Sequence, residues 1–279
     1  MFIGWMSHKG GYEVRYVQIW IFVLLSLALG GRGHSQSSPL LKVTHTEKDI
    51  TIDPFNEVWN DTSPITIELN DQEIAEPFGG KHMTIEVRGV HNGKSIGFLM
   101  EWADSTKDTK VTGEAFTDGG ALQFPISREE EPDPFMGGPG LVNIWFWRAD
   151  WQGDLDEGTK YLDTKYPPYP GYYFPQDEQV FLKGIKGGKL IGKTPVEDLV
   201  AQGFGTLERQ EQQDIDGKGI YSNGKWRVAF VRSMVTKDQF DTQFMPGIDY
   251  KITFAVWDGS DKNRDGQKSV SLDWIDMKI

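Results

Sequence analysis

Apolar residues recur at every second position in short runs along most of this chain, the spacing of half-buried strands rather than of helices. Ile65, Ile67 and Leu69 alternate with polar neighbours, as do Met83, Ile85 and Val87. The tripeptide His91-Asn92-Gly93 then predicts a hairpin turn, and the run 95–102 returns with Ile96, Phe98, Met100 and Trp102 on one face and Gly97, Leu99 and Glu101 on the other. Further strands are predicted at 121–126, 142–147, 226–232, 250–257 and 270–277. One brief helix is predicted over 196–202, opened by Thr194 as N-cap with Pro195 at its first position. Many short strands and few helices indicate a mainly β fold, an antiparallel, immunoglobulin-like β-sandwich.

The ends of the pattern set the domain organisation. Arg15, the apolar run 17–29 and the small, polar residues 30–36 read as a secretory leader, since the run is shorter than the roughly 20 apolar residues of a membrane span. The expected arrangement is an exported leader at 1–36 and one domain at 37–279, without a membrane span in the mature chain. Residues 36–61 read as a leading arm with one strand. The stretch 151–194, with Tyr166-Pro167-Pro168-Tyr169-Pro170, has no clear period and reads as an irregular insertion across one end of the sandwich.

Composition narrows the chemistry. The 279 residues include no cysteine, which excludes disulfides, zinc–thiolate sites, iron–sulfur clusters and thioether-attached haem. The formal charge of −12 argues against nucleic acid and anionic membrane surfaces and suits a soluble partner. Carboxylates such as Asp104, Asp108, Asp214, Asp216 and Glu129-Glu130-Glu131 sit in loops and read as solvated surface, not as a hydrolase pair. Asp261-Lys262-Asn263-Arg264-Asp265-Gly266 matches the first half of a calcium loop, but the twelfth position is Leu272, so a polar hairpin loop is expected.

Two places stand out. In Pro134-Phe135-Met136-Gly137-Gly138-Pro139-Gly140 a thioether sits on a glycine-rich loop, just before the aromatic strand 141–147. A flat apolar ligand such as haem can approach such a backbone, with alternate residues of Trp145, Phe146 and Trp147 as wall. Lys268 lies between a polar loop and the closing strand, where a buried amine is plausible, whereas Lys237 reads as an exposed strand end. An amine ligates a metal only when neutral, which needs burial and loss of a proton ordinarily held to about pH 10. His82 is a reserve ligand, and Met100 reads as core from its alternation with Phe98 and Trp102. A carbohydrate platform built on the ten tryptophans and nine tyrosines is the alternative without haem.

An ordered series of motifs adds to this reading: His91-Asn92-Gly93 with Phe98-Leu99-Met100-Glu101-Trp102; Phe116-Thr117-Asp118-Gly119 with Ala121-Leu122-Gln123-Phe124-Pro125; Met136-Gly137 with Val142-Asn143-Ile144-Trp145-Phe146-Trp147-Arg148-Ala149; Asn223-Gly224-Lys225-Trp226-Arg227-Val228 through Arg232-Ser233-Met234; and Phe254-Ala255-Val256-Trp257-Asp258-Gly259 leading to Lys268-Ser269. From residue 78 onward the chain thereby resembles the haem b-binding gamma subunits of periplasmic molybdenum enzymes of the DMSO-reductase type, whose relatives serve ethylbenzene and dimethylsulfide dehydrogenases, selenate and chlorate reductases and nitrite oxidoreductase.

The resemblance implies a β-sandwich holding one noncovalent haem b between methionine and lysine axial ligands. Carried onto this sequence, these are Met136 and Lys268, with Met100 as the fallback methionine; some members have a methionine where this chain has Gln123. Trp145 and Trp147 would help to wall the pocket and Arg148 would pair with a propionate. The chain would catalyse nothing alone. It would relay single electrons between the iron–sulfur beta subunit serving a molybdenum alpha subunit and a soluble, cytochrome c-like carrier in the periplasm.

Overall fold

A computed structural model describes residues 39–157 and 194–279, apart from Gly113, Glu131, Gly137 and Pro139. The expected leader and nearly all of the expected insertion, including its Tyr-Pro cluster, lie outside the described residues.

The architecture is an antiparallel β-sandwich. One sheet places β2 (Ile65–Asp71), β3 (Met83–His91), β4 (Ser95–Ala103), β10 (Lys225–Ser233) and β9 (Asp216–Ser222) side by side. The other runs β8 (Glu208–Arg209), β7 (Val196–Ala201), β6 (Val142–Arg148), β5 (Gly119–Pro125), β11 (Asp249–Trp257) and β12 (Ser269–Val270). Two strands stitch the sheets along one edge. β12 pairs with β2, and β1 (Leu40–His45) runs parallel first to β13 (Ile275–Lys278) and then to β3.

Turn chemistry sets the hairpins. Gly93, at φ 79°, closes the β3–β4 turn while Asn92 Oδ1 accepts from the Lys94 and Ser95 amides. Asn223 and Gly224, at φ 52° and 71°, form the two-residue left-handed turn between β9 and β10. His91 is the last residue of β3, buried opposite Ile96, and not part of the turn.

Three expectations are corrected. Residues 196–201 form β7 and not a helix. Thr194 Oγ1 does accept the Val196 amide, as an N-cap would, but also the Gly217 amide, and pairing with the whole length of β6 overrides the helical signal. The predicted strand 270–277 is broken into β12 and β13, because Ser271 bonds Phe254 through both its amide and its Oγ and the chain bulges there. The insertion expected at 151–194 is not irregular at its start: a short helix, α1 (Ala149–Asp156), follows β6 directly and takes up its first residues.

The inner faces meet in an aromatic core. Phe98, Met100 and Trp102 of β4 and Trp226, Val228 and Phe230 of β10 pack against Leu122 and Phe124 of β5 and Trp145 and Trp147 of β6. Ring centroids lie 4.8 Å apart for Trp147 and Trp226 and 5.1 Å for Phe124 and Trp145. Each buried tryptophan contributes about 4–6 kcal/mol of hydrophobic stabilisation before chain entropy is counted. At one end Arg232, fully buried, pairs with Asp241 at 2.9 Å and lies over the Trp145 ring. No helix among the described residues is long and apolar enough to cross a membrane.

β9 accommodates the largest of these rings by having no side chain beneath it. A Cβ at Gly219 would lie 2.2 Å from Trp147 Cζ2 and 2.5 Å from Cε2. The indole is walled on its other faces and cannot yield cheaply. Gly219→Ala should therefore cost about 1–3 kcal/mol and lower Tm by roughly 2–12 °C; a melting curve superimposable on that of the parent would show that the sheet gives way at no cost.

Candidate functional site

β5, β6 and β11 are apolar on both faces. One face closes the aromatic core; the other carries Ala121, Val142, Ile144, Ala255 and, from neighbouring strands, Leu199 and Val270, a second apolar cluster outside the sandwich. Period-two alternation decides which residue goes where: along β6, Trp145 and Trp147 point inward while Ile144 and Phe146 point outward.

The loop bearing Met136 covers this outer face. Gln123 Nε2 donates to Pro134 O at 2.7 Å, Trp274 Nε1 donates to Pro132 O at 2.7 Å, and Asp133 Oδ1 accepts the Phe135 amide at 2.8 Å. These bonds hold Phe135 and Met136 against the cluster. Met136 itself has φ 63°, a left-handed conformation that side-chain-bearing residues adopt at an energetic cost, and such residues concentrate at functional sites.

Between loop and sheet lies a cavity of about 470 Å³, within the roughly 300–1,000 Å³ typical of small-molecule and cofactor sites. Ala121, Ile144, Thr253 and Ala255 give it a floor of mostly small side chains, complementary to a flat ligand, while Phe146 and Trp257 add aromatic walls. Met136 and Lys268 line the same space, together with Gln123. A larger groove of about 560 Å³ beside β8 is more open and is lined by Glu208, Arg209, Glu211 and the exposed Lys237, a surface suited to water.

Lys268 is the chemically unusual member. Its backbone is fixed: Lys268 O accepts the Gln72 amide at 3.2 Å, and Gly80, at φ 100°, passes so close that a Cβ there would lie 2.1 Å from that oxygen. Its ammonium lies 4.9 Å from the centre of the Trp257 ring. Burial alone pushes its pKa down to about 8, with no carboxylate opposing the shift. Although the residue as a whole is only half-buried, its charged end is the part surrounded by protein. A largely dehydrated amine near neutrality and a thioether are together a donor pair for an iron ion carried by a planar apolar ring.

Several expected site residues lie elsewhere. Trp145 and Trp147 do not line the cavity; they are fully buried in the inter-sheet core, and Phe146 is the aromatic wall that β6 supplies. Arg148 pairs with Asp150 at 2.9 Å and stacks on Trp151 at 5.0 Å, away from the cavity lining. Met100, the fallback ligand, is wholly buried on the inner face of β4. His82 is exposed and meets Asn70 Oδ1 at 3.2 Å. Asp104, expected on the solvated surface, is buried, whereas Glu129, Glu130, Asp214 and Asp216 are exposed. Of the expected ligands, the structure brings Met136 and Lys268 to one cavity.

Phe146 was one of the three aromatic residues expected to wall the site in alternation, whereas Thr253, Ala255 and Trp257 were not among the expected site residues. Their signal was present in the parity opposite to the core residues of the same strands. Gln72 was also missed: its Nε2 donates to Ala75 O at 2.7 Å and Gly266 O at 3.0 Å, bracing the two loops at the mouth.

Known proteins agree with this picture at the level of family. The chain is 26% identical over 222 residues to a Haloferax mediterranei protein provisionally named respiratory nitrate reductase heme subunit ORF7, a match covering 78% of this chain and 65% of that protein. It is 26% identical to the chlorate reductase subunit gamma of Ideonella dechloratans, covering 64% of this chain and 58% of the relative, so it spans less than two thirds of the length of either. It is also 26% identical to the dimethylsulfide dehydrogenase subunit gamma of Rhodovulum sulfidophilum, with 80% and 73% covered. Among solved structures, a family 9 carbohydrate-binding module from Caldicellulosiruptor kristjanssonii in complex with glucose aligns over 86% of this chain and 94% of its own, at 8% identity and a TM-score of 0.39. The ethylbenzene dehydrogenase family model matches residues 56–269, most of the chain, and the protein belongs to that family.

Proposed function

We propose that this protein is an exported electron-transfer subunit that holds one noncovalent b-type haem in the cavity on the outer face of its second sheet, with Met136 and Lys268 as axial ligands. The observation that carries the proposal is a lysine with an enclosed charged end and no acidic partner among the described residues, sharing one largely apolar cavity with a thioether at a left-handed loop position. The names of the relatives, a heme subunit and two gamma subunits of redox complexes, support it. In this reading the chain is not catalytic by itself. It passes single electrons between the iron–sulfur subunit of a molybdenum oxidoreductase and a soluble carrier. The apolar run at residues 17–29 supports a periplasmic location.

The bound haem would supply a one-electron couple, and Met136 and Lys268 are the residues that would hold its iron. The protein's residues do the rest. Ala121, Thr253 and Ala255 leave room for a ring to lie against the strands, and Phe146 and Trp257 exclude water from it. Met136 offers a neutral sulfur that favours the reduced metal, and Gln123 holds its loop in place. Lys268 coordinates only after losing its proton, and desolvation has already done most of that work.

Protein produced with ample haem should be coloured, with the sharp reduced α and β bands of a six-coordinate low-spin centre. Lys268→Ala and Met136→Ala should each shift that spectrum toward the high-spin form. Parental spectra from both variants would refute the assignment of these two ligands.

The direction of the pH dependence follows from the lowered lysine pKa. Below about pH 8 the native amine is protonated, so its coordination expels one proton, and hemin affinity should rise about tenfold per pH unit until it levels off above pH 8. In the haem-free protein the cost of the buried charge is fully present below about pH 8 and disappears as pH rises toward the ordinary lysine value of 10.5, so stability should increase across that interval. Hemin titrations of the parent and Lys268→Ala between pH 6 and 9 test this: only the parent should show the slope, and equal slopes in both would sink the lysine assignment.

A further inference from the structure

Three carboxylates converge at the end of the sandwich where β4 and β11 finish and β5 begins. Asp104 follows β4, Asp118 precedes β5 and Asp258 follows β11, and one ligand oxygen from each lies within 4.8 Å of those of the other two. Their residues are only 6%, 0% and 7% exposed. Buried like charges this close repel strongly unless protons or a cation intervene.

The cation in contact is Lys81, whose Nζ lies 2.5 Å from Asp258 Oδ2 and 2.6 Å from Asp261 Oδ2. It bonds one member of the trio, acts on Asp104 only through space and is shared with an outside acid. Burial pushes Asp104 upward and takes Asp118 up to about 7, even though backbone amides from Gly259 and Asp108 partly oppose the shift at Asp118.

The hydrogen bonds suit ionised carboxylates. Asp118 Oδ1 accepts the Gly259 amide at 2.9 Å, and its Oδ2 accepts the Asp108 amide at 2.8 Å and Trp226 Nε1 at 2.9 Å. A proton on either oxygen would compete with those donors. Asp258 Oδ1 accepts the Ser260 amide and hydroxyl, and Asp104 Oδ1 accepts the Thr106 amide. That leaves Asp104 Oδ2, buried and without a hydrogen-bond partner among the described residues. An unpaired carboxylate oxygen on a residue more than nine-tenths buried is costly unless something coordinates it.

We propose that Asp104, Asp118 and Asp258 bind one hard divalent cation of calcium size. All three donors are oxygens, which favours such an ion over softer metals. The three carboxylates are buried, which suits calcium, an ion that accepts a set of protein oxygens, better than magnesium, which holds on to several of its waters. Ionised, the trio carries three negative charges, and Lys81, shared with Asp261, offsets only part of one, so a divalent cation supplies charge that the site lacks. The ion would add a further tie between the ends of three strands that the Gly259 and Asp108 amide bonds to Asp118 already draw together. It would also sit beside the segment containing Gly80 and Lys81, whose Lys81 amide donates to Ser269 Oγ at 3.0 Å, one residue from Lys268. The site stands independently of the haem reading.

The test uses the purified full chain stripped with EGTA and titrated calorimetrically with Ca²⁺ and, separately, Mg²⁺ at pH 7.5. The expected result is saturable Ca²⁺ binding at one ion per chain, at least tenfold tighter than Mg²⁺, with Tm raised by about 5–10 °C at a hundredfold excess over Kd. Asp104→Asn, which keeps the hydrogen bond to Thr106, should weaken Ca²⁺ at least tenfold and lose the rise in Tm. Asp258→Asn serves as the second variant if Asp104→Asn does not melt cooperatively. Absence of saturable Ca²⁺ binding, Mg²⁺ binding as tight as Ca²⁺, or an undiminished response in a folded variant would overturn the proposal.

Discussion

A sheet that is apolar on both faces has to be covered twice, and that constraint organises this molecule. The inner face of β5, β6 and β11 is covered by the opposing sheet, where large aromatic rings interlock. Among the described residues the outer face has no second sheet and is covered by loops, one of which carries Phe135 and Met136. Loops follow a flat surface less closely than another pleated sheet does, and the space left between them and the strands is the cavity.

Electrostatics then separates the cavity from an ordinary packing defect. A void among alanines and isoleucines is usually dry and inert. Here a lysine side chain enters it without a carboxylate to neutralise the charge, and the cost appears as a depressed pKa. Elsewhere in the fold, the buried Arg232 is paired with Asp241 and the half-buried Arg209 with Glu197 at 3.2 Å. The contrast shows that the scaffold can satisfy an internal charge and does not do so for Lys268, as expected of a side chain kept for another ligand.

Much of the fold was legible in the chain. The alternation in 95–102 placed Phe98, Met100 and Trp102 in the core, and the turn at Asn92-Gly93 set the first hairpin. β7 was misread because Thr194-Pro195 carries helix-opening chemistry that an edge pairing also uses. Met136 and Lys268 were legible as unusual residues in unusual places. Their shared cavity was not, because it depends on sheet neighbours more than a hundred residues apart, such as Ala121 opposite Ala255. Trp145 and Trp147 drew attention by size, yet the modest residues between and opposite them line the cavity. The carboxylate trio was hidden for the same reason: Asp104, Asp118 and Asp258 look like loop acids until three strand ends are brought together.

Placing the cavity outside the sandwich also separates two tasks. The aromatic interior and the outer cluster share strands but not side chains, so the shell can close and melt as a unit whatever occupies its flank. A polypeptide built this way can complete its scaffold first and take up a cavity ligand as a later step. Its loops can then diverge to suit different occupants and docking surfaces without renegotiating the packing that makes it a stable protein.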